Sequence, residues 1–151
     1  MDEGANVHAT CVVVDEGAIL IRGPSGSGKS TLARELVRTA RANGRFARLV
    51  SDDRTLLYAR NGRLIAKAVA AIAGKIEVRG VGIVEELFEP TARVRLVVDL
   101  SATEPPRLPQ REDGVALLCG VAVPRLRQRD GASVAAVVLD NSGFCDTVMT
   151  E

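Results

Sequence analysis

A chain of 151 residues is long enough for one domain with a real core and short for two. Lys+Arg 20 against Asp+Glu 19 leave a net charge of +1, and aromatics are 3% with no Trp, so neither the positive field nor the stacking surface of a nucleic-acid binder is present. Cys11, Cys119 and Cys145 stand far apart with no C-x-x-C pair, which argues against a zinc site or a disulfide framework, and no apolar stretch approaches the length of a membrane span.

Hydrophobic residues make up 46% and charged residues 26%, an ordinary balance for a globular protein. The core must be aliphatic, built from Val, Leu, Ile and Ala. The start, Met1-Asp2-Glu3-Gly4, is polar and acidic, unlike a signal peptide. A cytoplasmic α/β domain with reduced, mostly buried thiols is expected.

In chain order, residues 7–14 are β-rich and end at Asp15-Glu16-Gly17, a tight turn into a strand over 18–22. A glycine-rich loop follows, then a helix from about Ser30 through 31–42, where Leu32, Leu36, Val37 and Ala40 repeat at helical spacing. Asn43-Gly44 is its stop. A short strand over 47–51 leads into Asp52-Asp53. Residues 55–60 and 63–66 form a hairpin about Asn61-Gly62. Residues 68–73 make one or two helical turns, 75–79 a strand, and 84–88 a short helix stopped before Pro90. Residues 93–100 are a strand and 101–114 an exposed loop with Pro105, Pro106 and Pro109. One or two further strands lie in 115–123. Residues 132–139 suit helix or strand, with a helix after Gly131 favoured.

The loop Gly23-Pro24-Ser25-Gly26-Ser27-Gly28-Lys29-Ser30-Thr31 is G-x-x-x-x-G-K-S with a Thr behind it, the pattern of a phosphate-binding P-loop. Its glycines allow backbone dihedrals closed to other residues and clear the approach of a polyphosphate. Successive N–H groups can then form an anion nest, with the start of the helix behind them. Lys29 offers a mobile positive charge for the outer phosphates, and the Ser30 hydroxyl is a hard ligand for Mg²⁺. A chance glycine-rich turn is the alternative, and an apolar strand before and an amphipathic helix after speak against it.

Asp52 and Asp53 follow a short apolar strand, where a metal-associated carboxylate belongs. One can orient Mg²⁺ while the other takes a proton from an attacking hydroxyl; a polar turn at a strand end is the plainer reading. His8 is the only histidine and begins the strand beside the one feeding the loop, where it could share a proton with a carboxylate or stand as a surface residue. Glu77 and Arg79 share one face of their strand, beside Gly80 and Gly82, and suit a metal and phosphate site or a surface ion pair. Arg107 could clamp a transferring phosphoryl group, as could other arginines.

Together, His8, the loop GPSGSGKS, the run Val50-Ser51-Asp52-Asp53 and Lys75-Ile76-Glu77-Val78-Arg79-Gly80-Val81-Gly82-Ile83 resemble the catalytic domain of the HPr kinase/phosphorylase family. The last stretch is similar to that family's signature E-[IV]-R-G-x-G-I, which is rarer than a P-loop, and the resemblance covers nearly the whole chain. It implies a single P-loop domain over residues 1–151, related in fold to phosphoenolpyruvate carboxykinase, with a mixed central sheet and flanking helices. It implies an ATP- and Mg²⁺-dependent kinase that phosphorylates a serine of HPr, a small phosphocarrier protein of a phosphotransferase system, working as a homo-oligomer. Many members also run the reverse phosphorylase reaction.

By the same resemblance His8 falls on the catalytic histidine, Lys29 and Ser30 on the phosphate and magnesium ligands, and Asp53 on the proton acceptor with Asp52 near the metal. Glu77 matches a magnesium ligand, Arg79 lies in the signature, and Arg107, in Pro106-Arg107-Leu108-Pro109, sits where the family carries D-R-L-G. The chain resembles a short form that starts a few residues before the histidine. Residues 123–131 match the family's basic loop for dephosphorylation poorly. Two rival readings are a small-molecule kinase on the same scaffold and a nucleotide-dependent sensor module with little turnover.

Overall fold

The computed structural model describes residues 4–101 and 114–129 together with Ala135, Val138 and Leu139. Arg107 and the loop expected over 101–114 lie almost wholly outside the described residues. So does most of the helix favoured after Gly131, although Ala135, Val138 and Leu139 are helical and buried.

The strands are β1 (Ala5–Val7), β2 (Ala9–Val14), β3 (Gly17–Arg22), β4 (Ala47–Ser51), β5 (Thr55–Arg60), β6 (Arg63–Ala68), β7 (Lys75–Val78), β8 (Gly82–Glu85), β9 (Thr91–Ser101), β10 (Val115–Leu118) and β11 (Val121–Arg129). One long helix, α1 (Lys29–Ala42), and a 3₁₀ turn at Ala70–Ile72 complete the described elements. Nine strands form one mixed sheet in the order β1-β5-β6-β9-β3-β2-β4, with β11 parallel to β9 and β10 antiparallel to β11. The mixed sheet with a flanking helix is the α/β architecture expected.

β2 and β3 are antiparallel, β3 runs parallel to β9, and the residues of β2 and β3 are buried on both faces of the sheet. Alternation along β2 and β3 divides the core in two. Val12, Val14, Ile19 and Ile21 pack beneath Leu32, Leu36 and Ala40 of α1. Cys11, Val13, Ala18 and Leu20 face the other way, onto Leu57, Leu64, Val97 and Val123, where the sheet curls over itself.

Three expectations are corrected. Residues 84–88 are not helical. Gly82–Glu85 pairs with β7, Phe88 bridges to Leu49, and Glu89 N–H donates to Leu49 O at 2.8 Å. Five residues before a proline cannot offset the cost of helix nucleation, and two strand neighbours satisfy the backbone instead. The run over 7–14 is broken at His8, because β1 pairs with β5 while β2 pairs with β3. Cys11 is buried, and burial pushes its thiol well above the ordinary range, but Cys119 is exposed. Cys119 sits at φ 51° in the β10–β11 turn with Gly120 at 79°, the twist of a two-residue hairpin.

Candidate functional site

β3 ends at Arg22 and α1 begins at Lys29, so Gly23–Gly28 must turn the chain from sheet to helix. Gly26 (φ 83°) and Gly28 (φ 95°) take the left-handed region, and each has open space where a Cβ would stand. Ser27 N–H closes the turn on Pro24 O at 3.0 Å. No side chain caps α1, and its first turn carries no acidic residue, so its leading N–H groups face the loop's concavity. Lys29 Nζ rests on the carbonyls of Gly23 (3.0 Å) and Pro24 (3.3 Å).

A cleft of about 440 Å³ opens above the loop. Ser25, Gly26, Gly28, Lys29, Ser30 and Thr31 form one wall, and Asp52, Asp53, Glu77 and Arg79 the other. Gly23, Pro24 and Ser27 of the loop do not line the cleft. Ser27 is 3% exposed, and its hydroxyl has no hydrogen-bond partner among the described residues. A second hollow, behind α1 between Val37, Leu49 and Ile76, contains none of the candidate site residues.

The acidic side of the cleft is a hydrogen-bonded cluster. Ser30 Oγ donates to Asp52 Oδ1 at 2.6 Å, Thr10 Oγ1 donates to the same oxygen at 3.0 Å, and Glu77 N–H donates to Asp52 Oδ2 at 3.2 Å. Asp52 is buried, and three donors balance its desolvation. With its proton committed to Asp52, the Ser30 hydroxyl turns a lone pair to the cleft. Asp53 stands outside this cluster. Its carboxylate is 61% exposed and meets His8 Nε2 at 2.6 Å, and its backbone is left-handed at φ 66°. His8, from the break between β1 and β2, therefore reaches the cleft's rim through Asp53.

The residues fit a polyphosphate with a hard divalent cation: a left-handed glycine cradle, an uncapped helix start, a lysine, and a serine hydroxyl oriented by a buried carboxylate. Among the described residues no three His, Cys, Asp or Glu side chains gather into a metal cage. Magnesium held chiefly by phosphate oxygens and water requires none.

Two features escaped the sequence reading. Thr10 is fully buried on β2 and touches both aspartates, accepting Asp53 N–H at 3.1 Å. Its two-residue spacing from His8 was the available signal. At the root of the loop, Arg22 donates twice to Asp99, at 2.7 and 2.8 Å, and Arg125 donates to the same carboxylate. Burial works against ionisation of Asp99, but the hydrogen bonds from Arg22 and Arg125 outweigh it and hold the carboxyl below its usual range. Arg22 is the last residue of an apolar strand, and its register partner across β3–β9 is Asp99, so the pair was hidden until that pairing was known.

Comparison with known proteins gives the family and the fold. The family model described as HPr Serine kinase C-terminal domain matches residues 1–138. A protein named HPr kinase/phosphorylase from Limosilactobacillus reuteri is 31% identical over 147 residues, covering 88% of this chain and 44% of that protein. Its namesake from Geobacillus thermodenitrificans is 35% identical over 146 residues, covering 87% of this chain and 45% of that protein. The chain thus spans less than half the length of these relatives. A solved structure, of the Hpr(Ser) kinase/phosphatase from Coxiella burnetii, superposes with a TM-score of 0.71 at 22% identity, over 97% of this chain and 99% of that one, and shares its fold. With the matched model extending over residues 1–138, the P-loop, the aspartate pair and the Glu77–Arg79 strand all fall inside it, and the chain belongs to the HPr serine kinase C-terminal domain family.

Proposed function

We propose that this chain is an ATP- and Mg²⁺-dependent kinase domain that phosphorylates a serine on an HPr-like phosphocarrier in the cytoplasm. The observation that carries the reading is the division of labour between two adjacent carboxylates. Asp52 is buried and bonded to Ser30, while Asp53 is exposed and bonded to His8. Family membership supplies the acceptor, since the relatives are named for HPr.

Bound together, ATP and Mg²⁺ supply the phosphoryl group and the positive charge that steadies its oxygens. The loop's N–H groups and Lys29 hold the phosphate chain, with Lys29 moving from the Gly23 and Pro24 carbonyls. Ser30, Asp52 and Glu77 are the residues that would hold the cation, and Arg79 stands on the same wall to neutralise phosphate charge. Asp53 accepts the proton of the incoming serine hydroxyl, so that its oxygen can bond to phosphorus while ADP leaves. His8 orients Asp53 and shares the transferred proton. Arg107 is assigned by resemblance alone, as a clamp on the moving phosphoryl group.

Asp53→Ala tests the assignment. With an HPr-like phosphocarrier, ATP and Mg²⁺, intact mass should show one added phosphoryl group for the wild type. The variant should transfer at least about 10²-fold more slowly, the scale of a lost general base, while binding nucleotide nearly as well. Transfer at the normal rate by the variant would remove Asp53 from the role of base.

A further inference from the structure

Thr10 sits in an apolar strand at 0% exposure, yet its hydroxyl is fully employed. It donates to Asp52 Oδ1 at 3.0 Å and accepts Asp53 N–H at 3.1 Å. A hydroxyl has one hydrogen and two lone pairs, so both bonds hold at once. They join the carboxylate of Asp52 to the backbone N–H of Asp53, the two residues whose roles the mechanism separates.

The second bond matters because Asp53 is in the left-handed region at φ 66°. For a residue with a Cβ such backbone is unfavourable, and it persists where neighbours fix it. The Thr10 oxygen fixes the N–H of that strained residue. The resulting posture aims the carboxylate outward to His8 Nε2 at 2.6 Å, while Asp52, one residue earlier, points inward to Ser30. Without this tie, Asp53 can relax from its left-handed turn, and the carboxylate then leaves the line between His8 and the cleft.

We propose that Thr10 is a positioning residue: its hydroxyl locks the buried Asp52 and the exposed Asp53 into a single working arrangement. The proposal rests on the kinase reading above. Valine has nearly the shape of threonine and suits a buried strand, so Thr10→Val keeps the packing of β2 and removes only the hydroxyl. Thr10→Ser keeps the hydroxyl and removes the methyl.

Three measurements on both variants decide the matter: transfer kinetics with ATP, Mg²⁺ and an HPr-like phosphocarrier, hydrogen exchange at the Asp53 amide by NMR, and the thermal midpoint. Losing hydrogen bonds to a charged group should lower kcat for Thr10→Val by roughly 10- to 100-fold, with KM for ATP changed less than about threefold. The Asp53 amide should exchange about tenfold faster or more. Thr10→Ser should remain within about threefold of wild type in kcat, KM and Asp53 exchange, the thermal midpoint serving to show that each variant is folded. Unchanged kcat and Asp53 exchange in a folded Thr10→Val would overturn the proposal. So would a Thr10→Ser as impaired as Thr10→Val, because packing would then be the cause. If Thr10→Val does not fold, Thr10→Ala, which also lacks the hydroxyl, takes its place. If the wild type transfers nothing to the phosphocarrier, the kinase reading fails, and Asp53 exchange in the variant still decides for or against the positioning role.

Discussion

Gly23 has no room for a side chain. A Cβ there would stand 2.6 Å from Ser27 Oγ, 3.0 Å from Leu100 O and 3.2 Å from Leu100 Cβ. The serine hydroxyl can swing away, but the Leu100 carbonyl belongs to the backbone of β9 and cannot. Gly23→Ala should therefore destabilise the fold by about 1–3 kcal/mol, the usual cost of overpacking, as read by urea unfolding. Gly28→Ala fails for another reason, since its space is open and its φ of 95° is not. At this scale the geometry of the loop side of the cleft was legible, because Gly23, Gly28, Lys29 and Ser30 are neighbours in sequence and their spacing encodes that geometry. Thr10 was not legible. A threonine in a β-rich run reads as a strand former, and its importance depends on Asp52 and Asp53, more than 40 residues away.

Elements carry the cleft as much as residues do. β3 and β9 run parallel, and Asp99 at the end of β9 receives Arg22 from β3 and Arg125 from β11, tying three strands together where the P-loop departs. Asp99→Asn should destabilise the fold at neutral pH by about 2 kcal/mol, the scale of losing hydrogen bonds to a charged group. The pH dependence has a definite sign. Asp99 has a lowered value in the folded state relative to its ordinary 3.8, so in acid the unfolded chain takes up its proton first. Its contribution is whole above the ordinary value and is lost as pH falls through the lowered one. The gap in stability between wild type and Asp99→Asn should accordingly shrink in acid, as followed by unfolding curves from pH 7 down to about pH 3. Growth of the gap in that window would contradict the assignment. Among the elements, α1 and the Asn61–Gly62 hairpin were readable from local signals, namely helical periodicity and a turn dipeptide with φ of 53° and 75°. β8 was not, because Val84-Glu85-Glu86-Leu87-Phe88 has no local preference strong enough to prevail. β8 itself is set by pairing with β7, and the residues after it, Leu87 to Glu89, are held by Leu49 of β4.

Across the whole molecule, the nine-stranded sheet and the β7–β8 ribbon beside it bring together residues from four distant stretches of chain: His8 and Thr10, the 23–30 loop, the aspartate pair, and the Glu77–Arg79 segment. The family signature made this convergence legible in advance, since its motifs occur in the same order and cover nearly the entire chain. The arrangement that turns Asp52 inward and Asp53 outward was not legible, because it depends on the left-handed backbone at Asp53 and on contacts with Thr10 and Ser30 from distant elements. On this account the molecule is a phosphate cradle with a proton acceptor fixed at its rim, and gripping the triphosphate is the step on which transfer depends. Isothermal calorimetry with ATP and Mg²⁺ tests that grip most directly. Saturable one-to-one heat is expected for the wild type, retained in Asp53→Ala and lost or at least about tenfold weakened in Lys29→Ala. Absence of binding heat for the wild type, or equal affinity in Lys29→Ala, would contradict this account.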